Sequence, residues 1–280
     1  MRLHVQREIL RRTDGAVADL KSEISNSLIT LAKNTDASLH SRVAAVWTLK
    51  QAEGVKATTE LIQLANDATI REACVKALTD RTSELEATRP DVLVGFLSDA
   101  DDRVKVAAIV GLGRVLHYGM EHNWVISDND GTRPLAESVT SYAEALLPLT
   151  IQANATQNSD ADADDWRLPH SERVIPHLAV KALVEIHAVD ACISALGGPD
   201  RAGALWALKS MHSKAAIDGL FKVLSTSRDE SLRSEIWTTL IRLYHQEGEF
   251  TVDSPKWWGT RPDTTGPYYD RQKWSESDRI

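Results

Sequence analysis

Cysteine, glycine, proline and aromatic residues are all scarce in this 280-residue chain, and each scarcity excludes something. The two cysteines, Cys74 and Cys192, lie far apart inside apolar runs. That excludes a disulfide framework or a thiolate metal site, and both are expected as small buried residues. Fourteen glycines and nine prolines leave the middle of the chain poor in helix breakers. With Phe, Trp and Tyr at only 6% and Ala, Leu, Arg, Lys and Glu abundant, helix is favoured over sheet. No run is apolar for the roughly 20 residues that cross a bilayer, so no membrane segment is expected. Residues 1–10 read as an amphipathic helix, not as a basic stretch before an apolar one, so no signal peptide is expected on this chain. A net charge of −8 argues against a basic face for nucleic acid. Glycine-rich phosphate loops, H-E-x-x-H and G-x-S-x-G strings are absent, so no catalytic residue, metal or cofactor is assigned.

What is present is a repeat. A basic residue is followed by a small or apolar residue three positions on, then by apolar residues at four and seven. These offsets place the apolar members on one helix face and the base at its start. The pattern runs through Arg42, Ala45, Val46, Leu49; Arg71, Cys74, Val75, Leu78; Lys105, Ala108, Ile109, Leu112; Arg201, Ala204, Leu205, Leu208; and Arg233, Ile236, Trp237, Leu240. Pro176, Ala179, Val180, Leu183 fits with proline in place of the base, and Arg2, Val5, Gln6, Ile9 is a weaker copy. Each interval leaves room for one more helix, at about 22–33, 56–66, 90–98, 137–153, 189–196 and 215–225.

A helix flanked on both sides needs a small residue at its closest contact, which Ala or Cys supplies here. Asp36, Asp67, Asp101, Asp200 and Asp229 precede the second helices and are expected to cap them. The Asp-then-base order in successive units predicts a structural ladder, in which Arg42, Arg71, Lys105, Arg201 and Arg233 reach acids of neighbouring units. His117, His187, His212 and His245 are placed near helix C-termini, where imidazole favours the carbonyl end of the dipole.

The expected organisation is repeats over 1–117 with an incomplete first unit, an insertion at 118–170, repeats over 171–247 and a non-helical tail at 248–280. The insertion combines a loop-like stretch at 121–134, one helix and an acidic segment at 154–165. Within that segment Asp160, Asp162 and Asp164 alternate like calcium-loop ligands, but Asp165 replaces the glycine such loops require. The tail is rich in Trp, Tyr and Pro. Trp257, Trp258, Arg261, Asp263, Tyr268 and Tyr269 form its candidate contact set, either as a strap over the last helix pair or as a surface for a partner.

The turn-Asp, base and small-residue layout resembles the HEAT repeat. That resemblance implies an all-α fold, a right-handed α-solenoid of helical hairpins ending in an irregular aromatic and proline-rich strap. The string Trp257-Trp258-Gly259-Thr260-Arg261-Pro262-Asp263-Thr264-Thr265-Gly266-Pro267-Tyr268-Tyr269, with Trp47, Trp206 and Leu243-Tyr244-His245, is similar to large bacterial PVC-type haem-binding proteins. In that family a dehydrogenase-like propeller precedes the HEAT region and a c-type cytochrome domain follows it. The resemblance implies the HEAT portion of a longer periplasmic protein. The Cys-x-x-Cys-His motif that attaches c-type haem is missing from this chain. The expected function is a non-catalytic scaffold whose partners are another protein or sibling domains. The alternative is the HEAT segment of a multidomain dehydrogenase and c-type cytochrome protein in electron transfer.

Overall fold

The computed structural model describes residues 2–14, 18–128, 131–151, 171–248 and 271–280. Among these the protein is predominantly helical, with two short two-stranded ladders. It divides into two compact units, Met1–Ile186 and His187–Ile280. No described helix is long and apolar enough to cross a membrane.

The first unit contains α1 (Arg2–Thr13), α2 (Ala18–Lys33), α3 (Leu39–Glu53), α4 (Thr58–Leu64), α5 (Arg71–Leu78), α6 (Pro90–Val94), α7 (Asp102–Glu121), β1 (Val125–Asp128), β2 (Gly131–Pro134), α8 (Leu135–Leu146) and α9 (Ser171–Glu185). Helix α3 packs on α5, α5 on α7, and α7 on α9. The helices between them, α2, α4, α6 and α8, each pack on the helix that follows in this row. The buried stripe is the one the repeat dictates: Ala45, Val46 and Leu49, then Cys74, Val75 and Leu78, then Ala108, Ile109 and Leu112, then Ala179, Val180 and Leu183. Gly113 shows why the contact residues are small. A Cβ there would lie 3.3 Å from the Cβ of Ala182, so α7 and α9 approach as closely as a glycine and an alanine permit.

Local signals set the helix ends. Ser38 accepts from the backbone N–H of Ser41 and starts α3; Gly54, at φ +58°, ends it. Pro90 opens α6. Asp101 caps α7 by accepting from Arg103 N–H. Two of the expected acidic caps are displaced. Ser38, not Asp36, caps α3, and Ile70 occupies the cap position of α5, with Asp67 four residues ahead of the helix. Residues 121–134, expected as a loop, contain the antiparallel β1–β2 pair, registered Val125↔Pro134 to Asp128↔Gly131. Leu135 N–H donates to Trp124 C=O at 2.8 Å and ties the start of α8 to the base of this pair.

The second unit contains α10 (Val189–Ser194), α11 (Arg201–Leu208), α12 (Lys214–Thr226), α13 (Glu230–Leu243), β3 (Gln246–Glu247) and β4 (Arg271–Gln272). Helices α10 and α12 pack together, as do α11 and α13. Ala204, Leu205, Leu208, Ile236 and Leu240 are buried. Ser213 caps α12, and Asp229 caps α13 by accepting from Ser231 and Leu232 N–H. Asp200 stands at the cap position of α11, but its side chain makes no capping bond.

Candidate functional site

The basic residues that head the repeats share one geometry. Arg42, 4% exposed, donates from Nε to Ala32 C=O at 2.8 Å, from Nη1 to Thr69 Oγ1 at 2.9 Å, and from Nη2 to the Asp67 carboxylate. Arg71 donates from Nε to Ala65 C=O at 2.7 Å and from Nη1 to Asp99 at 2.7 Å. Arg201 donates from Nε to Leu196 C=O at 3.1 Å and from Nη2 to Asp229 at 2.7 Å. In each case one guanidinium ties a carbonyl in the last turn of the preceding helix, or just beyond it, to the acid in the next turn. Only a planar fork with several N–H groups can do both at once. A hydrogen bond from the Thr69 hydroxyl, then one from Arg42 and then one from the Thr69 N–H hold the Asp67 carboxyl down at about 2.

Lys105 and Arg233 depart from the expected ladder. Lys105 donates to Asp102 at 2.9 Å within its own helix, because an ammonium on a flexible stem lacks the second, fixed donor. Arg233 donates to Leu224 C=O, and its acid is Glu230, 3.8 Å away on the same helix.

A second charged centre was not singled out from sequence. Lys50, 1% exposed, lies 2.6 Å from Glu84 Oε2. This is a close ion pair whose alignment does not make a hydrogen bond. Arg81 donates to the other Glu84 oxygen at 2.9 Å. Burial raises the Glu84 carboxyl, but Lys50 and then Arg81 outweigh that and leave it below its ordinary value. The signal was present: Lys50 follows buried Val46 by four residues and so shares its face.

The end of the second unit gathers most of the remaining polar chemistry. Helix α13 leaves Trp237 44% and Ile241 71% exposed, one turn apart. Trp237 occupies the position that Val46, Val75 and Ile109 fill as buried residues in the first unit. Beyond α13, β3 pairs with β4 through Gln246↔Gln272 and Glu247↔Arg271. The last residues then clamp the helix ends. Trp274 Nε1 donates to Leu243 C=O at 2.7 Å, and its ring meets His212 edge-on at 5.4 Å. Ser277 Oγ donates to Tyr244 C=O at 2.7 Å, and Arg279 donates to Asp218 on α12 at 2.6 Å. Trp274→Ala is expected to cost about 2 kcal/mol. That is below the core range for tryptophan because the side chain is only partly buried, and urea unfolding measures it. The tail residues Trp257, Trp258, Arg261, Asp263, Tyr268 and Tyr269 lie outside the described residues, as do Asp160, Asp162 and Asp164.

The four histidines occupy separate settings. His117 Nδ1 donates to Glu185 C=O at 3.1 Å. His187 is exposed at φ +51°. His212 Nε2 donates to the backbone carbonyl of His245 at 2.9 Å, so these two meet through ring and main chain. Among the described residues no three His, Cys, Asp or Glu side chains converge on a metal position. Burial pushes the thiols of Cys74 and Cys192 up to about 12, which makes them inert packing groups at neutral pH.

No protein-family model matches the chain, and no curated protein matches it. Among solved structures the chain is similar to an engineered protein, Northeast Structural Genomics Consortium Target OR329. The likeness covers 85% of this chain and 96% of that one at 18% identity, with a TM-score of 0.31. A likeness at that level identifies neither a fold nor a function.

Proposed function

We propose that the chain is a HEAT-type α-solenoid acting as a non-catalytic scaffold, and that its work is contact with another protein or a sibling domain. The recurring guanidinium tie carries this reading. Arg42, Arg71 and Arg201 each bind the acid of the next turn, a device that makes sense where like units stack on like units. Stacked layers bury their apolar stripes only against neighbours, so the terminal layer must be covered or must recruit something. Trp237 and Ile241 on α13 are the apolar groups placed to do so.

The test is a photo-crosslinking residue at position 237, with one at exposed position 144 as control. Expected is one defined crosslinked species in cells from 237 and none from 144. Trp237→Ser with Ile241→Ser should remove sites of contact while lowering the unfolding midpoint only modestly, since part of the Trp237 ring is packed. Diffuse crosslinks from both positions, or turnover of a substrate by the isolated chain, would end the reading.

A second reading, the HEAT segment of a periplasmic dehydrogenase and c-type cytochrome protein, rests on the resemblance in 257–269 and in Leu243-Tyr244-His245. Flanking DNA that encodes a signal peptide and strands upstream and Cys-x-x-Cys-His downstream supports it. Flanks without either remove it.

A further inference from the structure

We propose that the cleft between the last turn of α13 and the β3–β4 ladder is an oxyanion site, taking the carboxylate or phosphate group of a small organic ligand. The cleft measures about 350 Å³ and is lined by Thr238, Ile241, Arg242, His245, Gln246 and Arg271. Its two guanidiniums come from elements far apart in sequence. Pairing of Glu247 with Arg271 brings β4 beside the end of α13, and so places Arg271 on the same cleft as Arg242.

Arg42, Arg71, Arg81, Arg201 and Arg279 all have carboxylate partners. Among the described residues the guanidiniums of Arg242 and Arg271 have neither an ion pair nor a hydrogen bond, and no carboxylate lines the cleft. The side chains of His245 and Gln246 make no hydrogen bond either. Two like charges facing one cleft repel unless something negative sits between them.

The ordinary reason for an arginine in a last helical turn is service to the terminal carbonyls. Several carbonyls at and just beyond this helix end are already occupied. Leu243 C=O accepts from Trp274 Nε1, Tyr244 C=O from Ser277 Oγ, and His245 C=O from His212 Nε2. Arg242 makes none of these bonds, and its donors are unused. Two forks, a carboxamide and an imidazole converging on one space suit an oxyanion with several acceptor lone pairs. Exposed Ile241 on the same wall gives the carbon skeleton of an organic anion an apolar contact. The chain as a whole carries −8, so this cleft is a positive site on an acidic protein. The inference does not rest on the scaffold reading and survives if that fails.

The experiment is calorimetric titration of the full chain at pH 7 and fixed ionic strength with three probes: inorganic phosphate, phenyl phosphate and succinate. Arg242→Gln and Arg271→Gln are compared with exposed Arg228→Gln as control, each with its unfolding midpoint measured. Expected is saturable binding of an organic probe, weakened about tenfold or more in either cleft variant and unchanged in the control. Phosphate-ester binding without succinate binding assigns the ligand as a phosphate, and the reverse assigns a carboxylate. Absence of saturable binding by all three probes overturns the proposal. So does equal weakening in Arg228→Gln, or full affinity in Arg242→Gln and Arg271→Gln with their midpoints intact.

Discussion

Lys50→Met is expected to lower folding stability by about 3–5 kcal/mol, the range for removing one partner of a buried ion pair. Methionine fills nearly the same space, so little of that loss comes from a cavity. It comes from Glu84, a mostly buried carboxylate left with Arg81 alone. Adding Glu84→Gln to Lys50→Met should therefore restore part of the loss, because the uncompensated charge goes with it. Acid separates this account from a packing defect. In the native protein the Glu84 carboxyl lies below its ordinary value, so its stabilisation is present above the unfolded value and is lost as pH falls through the folded one. Without Lys50, burial is opposed by one cation only, and the carboxyl moves up. The difference between the two proteins should narrow as pH falls from 7 to 4, read as urea midpoints. A constant difference over that interval counts against the electrostatic account.

Arg42→Ala is expected to cost about 3 kcal/mol, the lower end of the buried-pair range, because Asp67 is about one-third exposed and water recovers part of the loss. Three bonds go at once: to Ala32 C=O, to Thr69 and to Asp67. Arg42→Lys keeps the charge but loses the fork, and should recover less than half of the stability. Lys105→Ala removes a base from the same repeat position, yet should stay within about 0.5 kcal/mol because its pair with Asp102 is local and exposed. The Asp67 carboxyl sits at about 2, so its contribution is complete above its ordinary 3.8 and disappears as pH falls toward 2. Thr69 is the larger cause of that depression, so the acid limb should shrink in Arg42→Ala without vanishing. Equal losses in Arg42→Ala and Lys105→Ala, by denaturant unfolding, would remove the distinction between tie and local pair.

Much of the helical framework was legible because the signals that make it are local. Ala45, Val46 and Leu49 and their counterparts recur at three, four and seven residues, and a helix puts such positions on one side whatever lies around it. Asp101 and Asp229 were legible as caps because an acid two residues before a helical N–H meets it within the same turn. The β1–β2 pair was missed because Asp128-Asn129-Asp130-Gly131 has the composition of a loop as well as that of a hairpin turn, and strands of four residues carry little period-two signal. Trp237 follows the buried pattern in sequence and is exposed in the structure. Period alone cannot say whether a further layer arrives to cover that face.

By itself, then, the sequence determined that the chain is built of helices, which side of each is apolar, and where several of them start. Tertiary structure alone decided which charges meet. Arg42 and Asp67 are 25 residues apart, Arg71 and Asp99 are 28, and Trp274 lies 31 beyond the carbonyl it holds. Forty acidic residues offer every base many partners at such distances. The choice falls to how successive turns are presented when helices pack, which is why Lys50 finds a carboxylate in the interior while Arg242 and Arg271 face a cleft that holds none among the described residues.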